Sequence, residues 1–463
     1  MPRSSEFVRS VPLFAYPLAA AVLITSLDGA GFTPGSQALL IVLGGVTLLA
    51  VALSEGPLVL SVARAPLVWV LGVLGLVSIL SAAWTVGSAR DAVRSGLVIL
   101  TLGVLAAGGT RLAARVGCWP IAAGLALLAA IEAVLGLRAA ALHSLPDAEW
   151  LSGSWRPGGS FQYPPALGLL EVAALPALLS GLARARAVAS VAAAGAVLAG
   201  ATLGSADSRI DLGLAAIVLG IALVVIPRCE PRRSEVVAAV ALIGTAALAG
   251  HLVLGRHVSA TQGGGGTARL ILLGCLCAAL AGAWLPIRAL ARRRFRPRAA
   301  LVPVAVLAAG VIAIGAAINT EGASHSRTPR LSYPLAKSAA ARTRLWKAAL
   351  ETWRDRPLLG AGAGAYYRAS VRYQGSRPSS FAHNLPLELA AELGVFGLLL
   401  GVCLYAAAID LVRRTRSRPE LWLLGPAVSA FLIANLFDWP WHLAGLGAAW
   451  AVAAGGLLSV VCT

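Results

Sequence analysis

Charged residues are scarce in this chain. They occupy 13% of 463 positions, whereas hydrophobic residues occupy 58%, and the mean hydropathy is +0.80. A soluble domain of this length needs more charged residues to cover its surface, so the composition excludes a soluble globular protein. Apolar runs long enough to cross a bilayer recur from end to end. The net charge of +18 does not indicate nucleic-acid binding, because the basic residues cluster between these runs.

Several motifs of common catalytic and cofactor sites are also missing. The sequence has no Asp-x-Asp pair, no His-x-x-x-His pair and no Gly-x-Ser-x-Gly element. Cys275 and Cys277 form a C-x-C pair that no second pair completes, and Gly360–Gly364 lacks the Lys-Ser/Thr of a phosphate-binding loop. We therefore predict that the protein binds no metal and needs no cofactor.

The apolar runs predict an all-α polytopic membrane protein with about 12–14 transmembrane helices. The predicted spans are 11–27, 37–54, 66–83, 95–109, 117–140, 164–182, 187–203, 208–227, 234–254, 269–289, 300–318, 384–411, 420–437 and 442–461. With a cytoplasmic N-terminus, the basic clusters Arg292–Arg298 and Arg413–Arg418 both fall in the cytoplasm, as the positive-inside rule requires. We predict cytoplasmic termini and a single transmembrane domain over residues 1–463.

One long connection, 319–383, interrupts this pattern and is predicted to lie on the outer, periplasmic face. Residues 338–354 within it predict an amphipathic helix that lies in the membrane interface or against the bundle. Arg342 projects onto the centre of the apolar face, whereas Arg344 projects to the polar side. An arginine on a buried face needs an anionic partner, although it can also extend to the lipid headgroups.

Other outer connections carry further candidate residues. Arg156 begins the rigid turn Arg156-Pro-Gly-Gly-Ser-Phe-Gln-Tyr-Pro-Pro, and Arg209 lies at the mouth of a span, as an interface anchor or a ligand contact. His383 precedes the start of a long span, where the helix dipole disfavours the imidazolium and favours a neutral, proton-accepting ring. Asn384 follows it, and Glu388 and Glu392 share one face of the same helix.

These residues together suggest a substrate class. Arginine binds phosphate oxygens bidentately and keeps its charge, and a neutral histidine can act as a general base. Several arginines and one base on a single face suit a substrate with a diphosphate leaving group, whose developing charge the arginines would stabilise.

At this point the sequence resembles the O-antigen ligase and polymerase superfamily of bacterial membrane glycosyltransferases. The resemblance depends on five stretches, of which the last three form the more specific signature: Arg156–Pro165, Ser208-Arg209-Ile, Ala341-Arg342-Thr-Arg-Leu-Trp346-Lys-Ala-Ala-Leu350, Arg356-Pro-Leu-Leu-Gly360-Ala-Gly362, and His383-Asn-Leu through Glu392-Leu-Gly-Val-Phe-Gly397.

The resemblance implies a transfer of a glycan from undecaprenyl diphosphate to an acceptor hydroxyl at the periplasmic face of the inner membrane. Arg209 and Arg342 would hold the diphosphate, and His383 would deprotonate the acceptor for an inverting displacement. We predict these three as catalytic residues and Arg156, Arg344, Glu388 and Asn384 as substrate-binding residues. Relatives often have Pro-Asn where this chain has Pro164-Pro165, so a contact made there in relatives is in doubt here.

Three activities within the superfamily stay open: ligation to lipid A-core, polymerisation of repeat units, and transfer to protein. The basic outer segment suits an anionic acceptor, which favours ligation slightly. From a different class, a transporter or flippase of lipid-linked sugars is the alternative, but the sequence shows no repeat of its two halves. The predicted partners are the lipid-linked donor, a glycan or lipid A-core acceptor and the bilayer, with no nucleic acid.

Overall fold

The computed structural model describes residues 11–55, 65–151, 154–225, 230–254, 266–292, 305, 308–310, 312, 335–376 and 378–462. Most of the predicted span 300–318 lies outside these residues, as do residues 319–334 of the predicted outer segment.

The described residues are mostly helical. The helices are α1 (Ala15–Leu27), α2 (Pro34–Glu55), α3 (Pro66–Leu80), α4 (Ala89–Val116), α5 (Trp119–Leu142), α6 (Pro164–Leu182), α7 (Arg186–Ala206), α8 (Arg209–Val225), α9 (Glu230–Leu254), α10 (Gly266–Arg292), α11 (Leu335–Asp355), α12 (Tyr366–Gln374), α13 (Leu385–Arg414), α14 (Pro419–Ala434) and α15 (Ala444–Cys462). A short antiparallel hairpin, β1 (Ala148–Leu151) and β2 (Ser154–Pro157), precedes α6.

Ten helices of the described part are long and apolar enough to cross a membrane: α2, α3, α4, α5, α6, α7, α9, α10, α13 and α15. Helices α1 and α14 are shorter and also apolar. The prediction of an all-α polytopic membrane protein is confirmed. The hairpin was not predicted, since its residues had been interpreted only as a loop.

The chain forms two compact units. The first comprises Met1–Ile121 and Tyr333–Thr463, and the second comprises Ala122–Ser332. In the first unit α4 packs against α3 and α15, and small residues allow the close approach: a β-carbon on Gly455 would meet the Ala106 carbonyl oxygen at 2.1 Å. That the chain forms a single transmembrane domain stays a prediction.

The second unit uses the same kind of packing. Helix α9 lies against α7, and a β-carbon on Gly204 would meet the Ala247 carbonyl oxygen at 1.9 Å. At one end of this unit the Arg288 guanidinium donates to the carbonyls of Ala183 and Arg184, at 2.7 Å each. Backbone carbonyls left over at the end of α6 therefore receive a charged donor.

Four connections of the first unit meet at one of its ends, which we call the site end: 28–33, 81–88, 356–384 and 435–443. The Val86 amide donates to the Ala361 carbonyl at 2.8 Å, and the Leu385 amide donates to the Asn435 carbonyl at 2.8 Å. The rings of Phe32 and Trp439 are 5.7 Å apart. The long predicted outer segment and the turn between the last two helices therefore lie together.

Candidate active site

His383 lies at the site end, immediately before α13. Asn384 is the N-cap of that helix: its Oδ1 accepts from the Leu387 amide at 3.0 Å, and Pro386 follows in the first turn. His383 itself has a φ of 54°, in the left-handed region. Residues other than glycine seldom adopt this conformation, although asparagine, aspartate and histidine tolerate it best. The contacts of the surrounding loop therefore impose it on His383.

The His383 imidazole is paired with a carboxylate that sequence reasoning missed. His383 Nδ1 is 2.9 Å from Asp438 Oδ1, and the two side chains are 22% and 7% exposed. A carboxylate at this distance holds the proton on Nδ1, which leaves the Nε2 lone pair to accept a proton from another molecule. An arrangement of this kind is suited to general-base chemistry.

The segment that carries Asp438 is fixed to the start of α13 by two further hydrogen bonds, and a third lies within the segment. The Asn384 Nδ2 donates to the Leu436 carbonyl at 3.0 Å, the Leu385 amide to the Asn435 carbonyl at 2.8 Å, and the Trp441 amide to Asn435 Oδ1 at 2.8 Å. The side chain of Asn384 is thus engaged on both of its polar atoms. Its predicted contact with substrate stays a prediction, beside the structural role that the geometry shows.

Helix α11 contacts the same loop through Trp346, and it carries two of the predicted arginines. The Trp346 indole Nε1 donates to the His383 carbonyl at 3.3 Å, and Arg342 lies one turn earlier on α11. The buried face of α11 is centred on Leu345, Ala348, Ala349 and Thr352 rather than on Arg342. Arg342 and Arg344 are both half-buried at the edges of this face, so burial does not separate them as the helical wheel did.

The motif Arg356–Gly362 and the motif Glu392–Gly397 are joined by backbone hydrogen bonds. Gly394 has a φ of 64° and interrupts α13, where the sequence predicted a continuous span. The interruption frees backbone groups that bond the loop before α12: the Ala361 amide donates to the Ala391 carbonyl at 3.0 Å, and the Gly362 amide to the Glu392 carbonyl at 2.7 Å. A β-carbon on Gly394 would meet the Leu358 carbonyl oxygen at 2.2 Å, so only glycine fits.

The two glutamates of α13 are buried and bonded within the protein. Glu388 Oε2 accepts from the Ala382 amide at 2.7 Å, while Glu388 Oε1 is 2.5 Å from His442 Nε2. Burial lowers the pKa of His442, but the charge and hydrogen bond of Glu388 outweigh this effect and raise the pKa above its ordinary value. Glu388 therefore positions the residue before His383, and its predicted contact with substrate stays a prediction.

Two histidine–carboxylate pairs therefore connect the turn before α15 to the loop before α13 and to the first turn of α13. His383 of the loop pairs with Asp438 of the turn, and His442 of the turn pairs with Glu388 at the start of α13. The Phe381 ring stacks on both Trp439, at 4.9 Å, and His442, at 4.0 Å. The only sequence signal for Asp438 was its position in the short turn between the predicted spans 420–437 and 442–461, and His442 was predicted as the first residue of the second span.

The second unit carries the other two predicted arginines. Arg156 lies on β2, half-buried, and its guanidinium forms an ion pair with Asp207 at 2.9 Å. Arg209 begins α8, directly after Asp207 and Ser208, and is exposed. The loop that Arg156 begins is anchored to α5, because the Ser160 amide donates to the Glu132 carboxylate at 2.9 Å.

Within the described ranges, no group of three or more His, Cys, Asp or Glu side chains is arranged to hold a metal ion. The predicted independence of metal stays a prediction, which chelation tests directly.

Comparison with known protein families gives a match to part of the chain. A family model described as O-antigen ligase matches residues 265–402, which include Arg342, the loop up to His383, and Glu388. No curated protein matches the chain. Arg156, Arg209, Asp438 and His442 lie outside the matched segment. The match covers less than a third of the chain, and it supports the similarity to the O-antigen ligase and polymerase superfamily that the motifs around His383 and the ten apolar helices of the described part also indicate.

Proposed function

We propose that the protein transfers a glycan from undecaprenyl diphosphate to an acceptor hydroxyl, with His383 as the general base. The observation that carries this proposal is the His383–Asp438 pair, 2.9 Å apart and backed by the hydrogen bonds of Asn384 and Trp346. An imidazole with its Nδ1 proton fixed and its ring partly exposed is suited to accept a proton at Nε2.

In the proposed step the acceptor O–H bond breaks and its proton moves to His383 Nε2. The acceptor oxygen then forms a bond to the anomeric carbon, while the bond between that carbon and the diphosphate oxygen breaks. The electron pair of the broken bond leaves with the diphosphate, and the anomeric configuration inverts. Asp438 stabilises the imidazolium that results.

The departing diphosphate gains negative charge, which cationic side chains would stabilise. Arg342 and Arg344 are the candidates in the first unit, because they share α11 with Trp346, which bonds to the His383 carbonyl. For Arg209 and Arg156 of the second unit, the support is the family resemblance of their motifs and their positive charge. We propose the same diphosphate-binding role for Arg209 and an auxiliary one for Arg156.

We further propose that the site end faces the periplasm and that both termini are cytoplasmic in the inner membrane. The opposite end of α13 carries Arg413 and Arg414 in its last turn, and Arg416 and Arg418 follow in the short connection to α14. Short cytoplasmic connections are enriched in arginine and lysine, which supports this orientation.

The test is transfer by purified protein in lipid nanodiscs, with undecaprenyl-diphosphate-linked glycan as donor. We expect His383→Ala, Arg342→Ala and Arg209→Ala to lose transfer while remaining folded. Arg354→Ala is the matched control, because Arg354 lies on α11 but is exposed and paired with Glu351. Full activity of His383→Ala would refute the base, and loss of wild-type activity in EDTA would refute the metal-free mechanism.

Ligation and polymerisation share this chemistry and differ in the acceptor. Lipid A-core and lipid-linked repeat units should therefore be offered separately to the same preparation. We propose ligation as the activity, because the basic outer segment suits an anionic acceptor. Faster transfer to repeat units than to lipid A-core would assign the protein as a polymerase instead. Movement of donor across the bilayer without transfer would indicate a flippase.

A further inference from the structure

A cavity of about 250 Å³ lies at the site end of the first unit, apart from the His383 ring. Helices α2, α3, α4 and α13 contribute to its walls, together with Phe381 of the loop before His383 and His442 of the turn before α15. The volume is below the usual range for drug-sized ligands and suits a single six-membered ring.

The walls are unusually polar for a site among apolar helices. Asp91, Arg94, Glu388, Glu392 and His442 all line the cavity, with three serines and Gln37 beside them. Groups of this kind in a membrane bundle need polar partners, from the protein, from water or from a ligand rich in hydroxyl groups.

Arg94 shows where a ligand atom is needed. One of its terminal nitrogens is 2.6 Å from Asp91, but its Nε is buried and has no hydrogen-bond partner in the described part of the chain. A buried N–H without an acceptor is unfavourable, and a ligand oxygen would satisfy it.

The charges also restrict the ligand. Three carboxylates face one arginine and one histidine across the cavity, and both cations are already paired, Arg94 with Asp91 and His442 with Glu388. Since neither cation of the described lining is left without a carboxylate, a phosphate or a carboxylate in the cavity would have no counter-charge of its own, which disfavours both. Aromatic side chains, Phe32, Phe381 and Trp441, complete the lining and suit the C–H faces of a sugar ring.

The cavity is close to the proposed base. Phe381 lines it and is two residues before His383, so their α-carbons are at most about 7 Å apart. Trp439, which follows Asp438, stacks on the same phenylalanine. A sugar held here would place its neighbour in the same glycan near His383.

We infer that this cavity binds one uncharged sugar residue of the acceptor glycan and so selects the acceptor. The inference deepens the proposed glycan transfer and rests on it. The inference also assigns two portions of the acceptor to different places. The basic outer segment suits an anionic portion, whereas this cavity suits an uncharged one.

The first experiment is direct binding, without donor, to the full protein in nanodiscs. Methyl α-D-glucopyranoside and methyl β-D-glucuronide are titrated and followed by saturation-transfer NMR. We expect saturable binding of the uncharged glycoside and at least tenfold weaker binding of the glucuronide. Arg94→Gln and Ser95→Phe, which fills the space, should each weaken binding of the glucoside at least tenfold.

Arg90→Gln is the matched control, because Arg90 is exposed one turn earlier on α4 and does not line the cavity. Thermal unfolding of each variant shows that the fold is retained. Absence of saturable glucoside binding in the wild type, or equal binding by all the variants, would show a water-filled cavity and overturn the inference.

A transfer assay then separates the two proposals. Arg94→Gln should raise the acceptor KM about tenfold and leave the donor KM unchanged. Unchanged acceptor KM alongside normal transfer would refute the sugar subsite and leave the transferase standing. Glucoside binding that depends on Arg94, in a protein that transfers no glycan from any donor, would support the subsite and refute the proposed transfer.

Discussion

Replacement of Asp438 by asparagine should lower kcat strongly while the protein remains folded. The side chains are similar in size, so packing around the 7%-exposed Asp438 is preserved. The asparagine Nδ2 can, however, donate to His383 Nδ1, which would place the imidazole proton on Nε2. In that tautomer the ring has no lone pair toward the acceptor, and the imidazolium loses its neighbouring charge.

The magnitude follows from the hydrogen bond that is lost. A hydrogen bond to a charged group contributes about 1.5–3 kcal/mol, and about 1.4 kcal/mol corresponds to a tenfold rate. Loss of transition-state stabilisation alone thus predicts a decrease in kcat of about 10-fold to about 150-fold. The wrong tautomer adds to this, up to the roughly 10⁴-fold loss known for the equivalent change in serine proteases.

The assay measures initial transfer rates in nanodiscs at saturating donor and acceptor. Asp410→Asn is the matched control, because Asp410 forms an exposed ion pair with Arg414, and such pairs contribute about 1 kcal/mol or less. A purely structural role for Asp438 would lower the unfolding temperature and leave the kcat of the folded protein unchanged. Wild-type kcat in a stably folded Asp438→Asn protein would refute the assignment of His383 as an oriented base.

Three further predictions concern the same loops. His383→Asn should abolish transfer yet be about 1–2 kcal/mol more stable than His383→Val, because asparagine tolerates the left-handed φ of 54°; chemical unfolding measures the difference. Gly394→Ala should lower stability by about 2 kcal/mol or more, since its β-carbon would meet the Leu358 carbonyl at 2.2 Å, and an unchanged midpoint would contradict this. The raised pKa of His442 means that its pairing with Glu388 stabilises the fold fully below the ordinary value of 6.5, and that this contribution is lost as pH rises through the raised pKa. Thermal unfolding between pH 6 and pH 9 should therefore show a steeper loss of stability in the wild type than in His442→Gln.

The fold class and the helix positions followed from the sequence because each apolar run is bounded by polar residues or proline. The predicted span 384–411 corresponds to α13, Leu385–Arg414, and the predicted helix 338–354 to α11, Leu335–Asp355. Local patterns of this kind depend only on neighbours in the chain. The helix-start sequence Asn384-Leu-Pro likewise places His383 at a helix N-terminus without any knowledge of the fold.

The partners of His383 could not be predicted in this way. Asp438 is 55 residues further along the chain, one residue beyond a predicted span, and no local pattern pairs it with a particular histidine. The interruption of α13 at Gly394 was missed for a related reason, because its stabilising contacts come from the separate loop at Leu358–Gly362. The helical wheel placed Arg342 at the centre of a buried face, but the neighbours that cover α11 determine where that centre lies.

The two histidine–carboxylate pairs that connect α13 and its preceding loop to the turn before α15 have a consequence for biosynthesis. His383 and its helix are translated before Asn435, Asp438 and His442, so the nascent chain inserts His383 without its partners. The loop cannot adopt the hydrogen bonding described above until the turn between α14 and α15 lies on the same side of the membrane as the loop. A nascent or truncated chain that ends before residue 438 therefore lacks the carboxylate partner of His383, and the timing of the last two insertions decides when this pair can form.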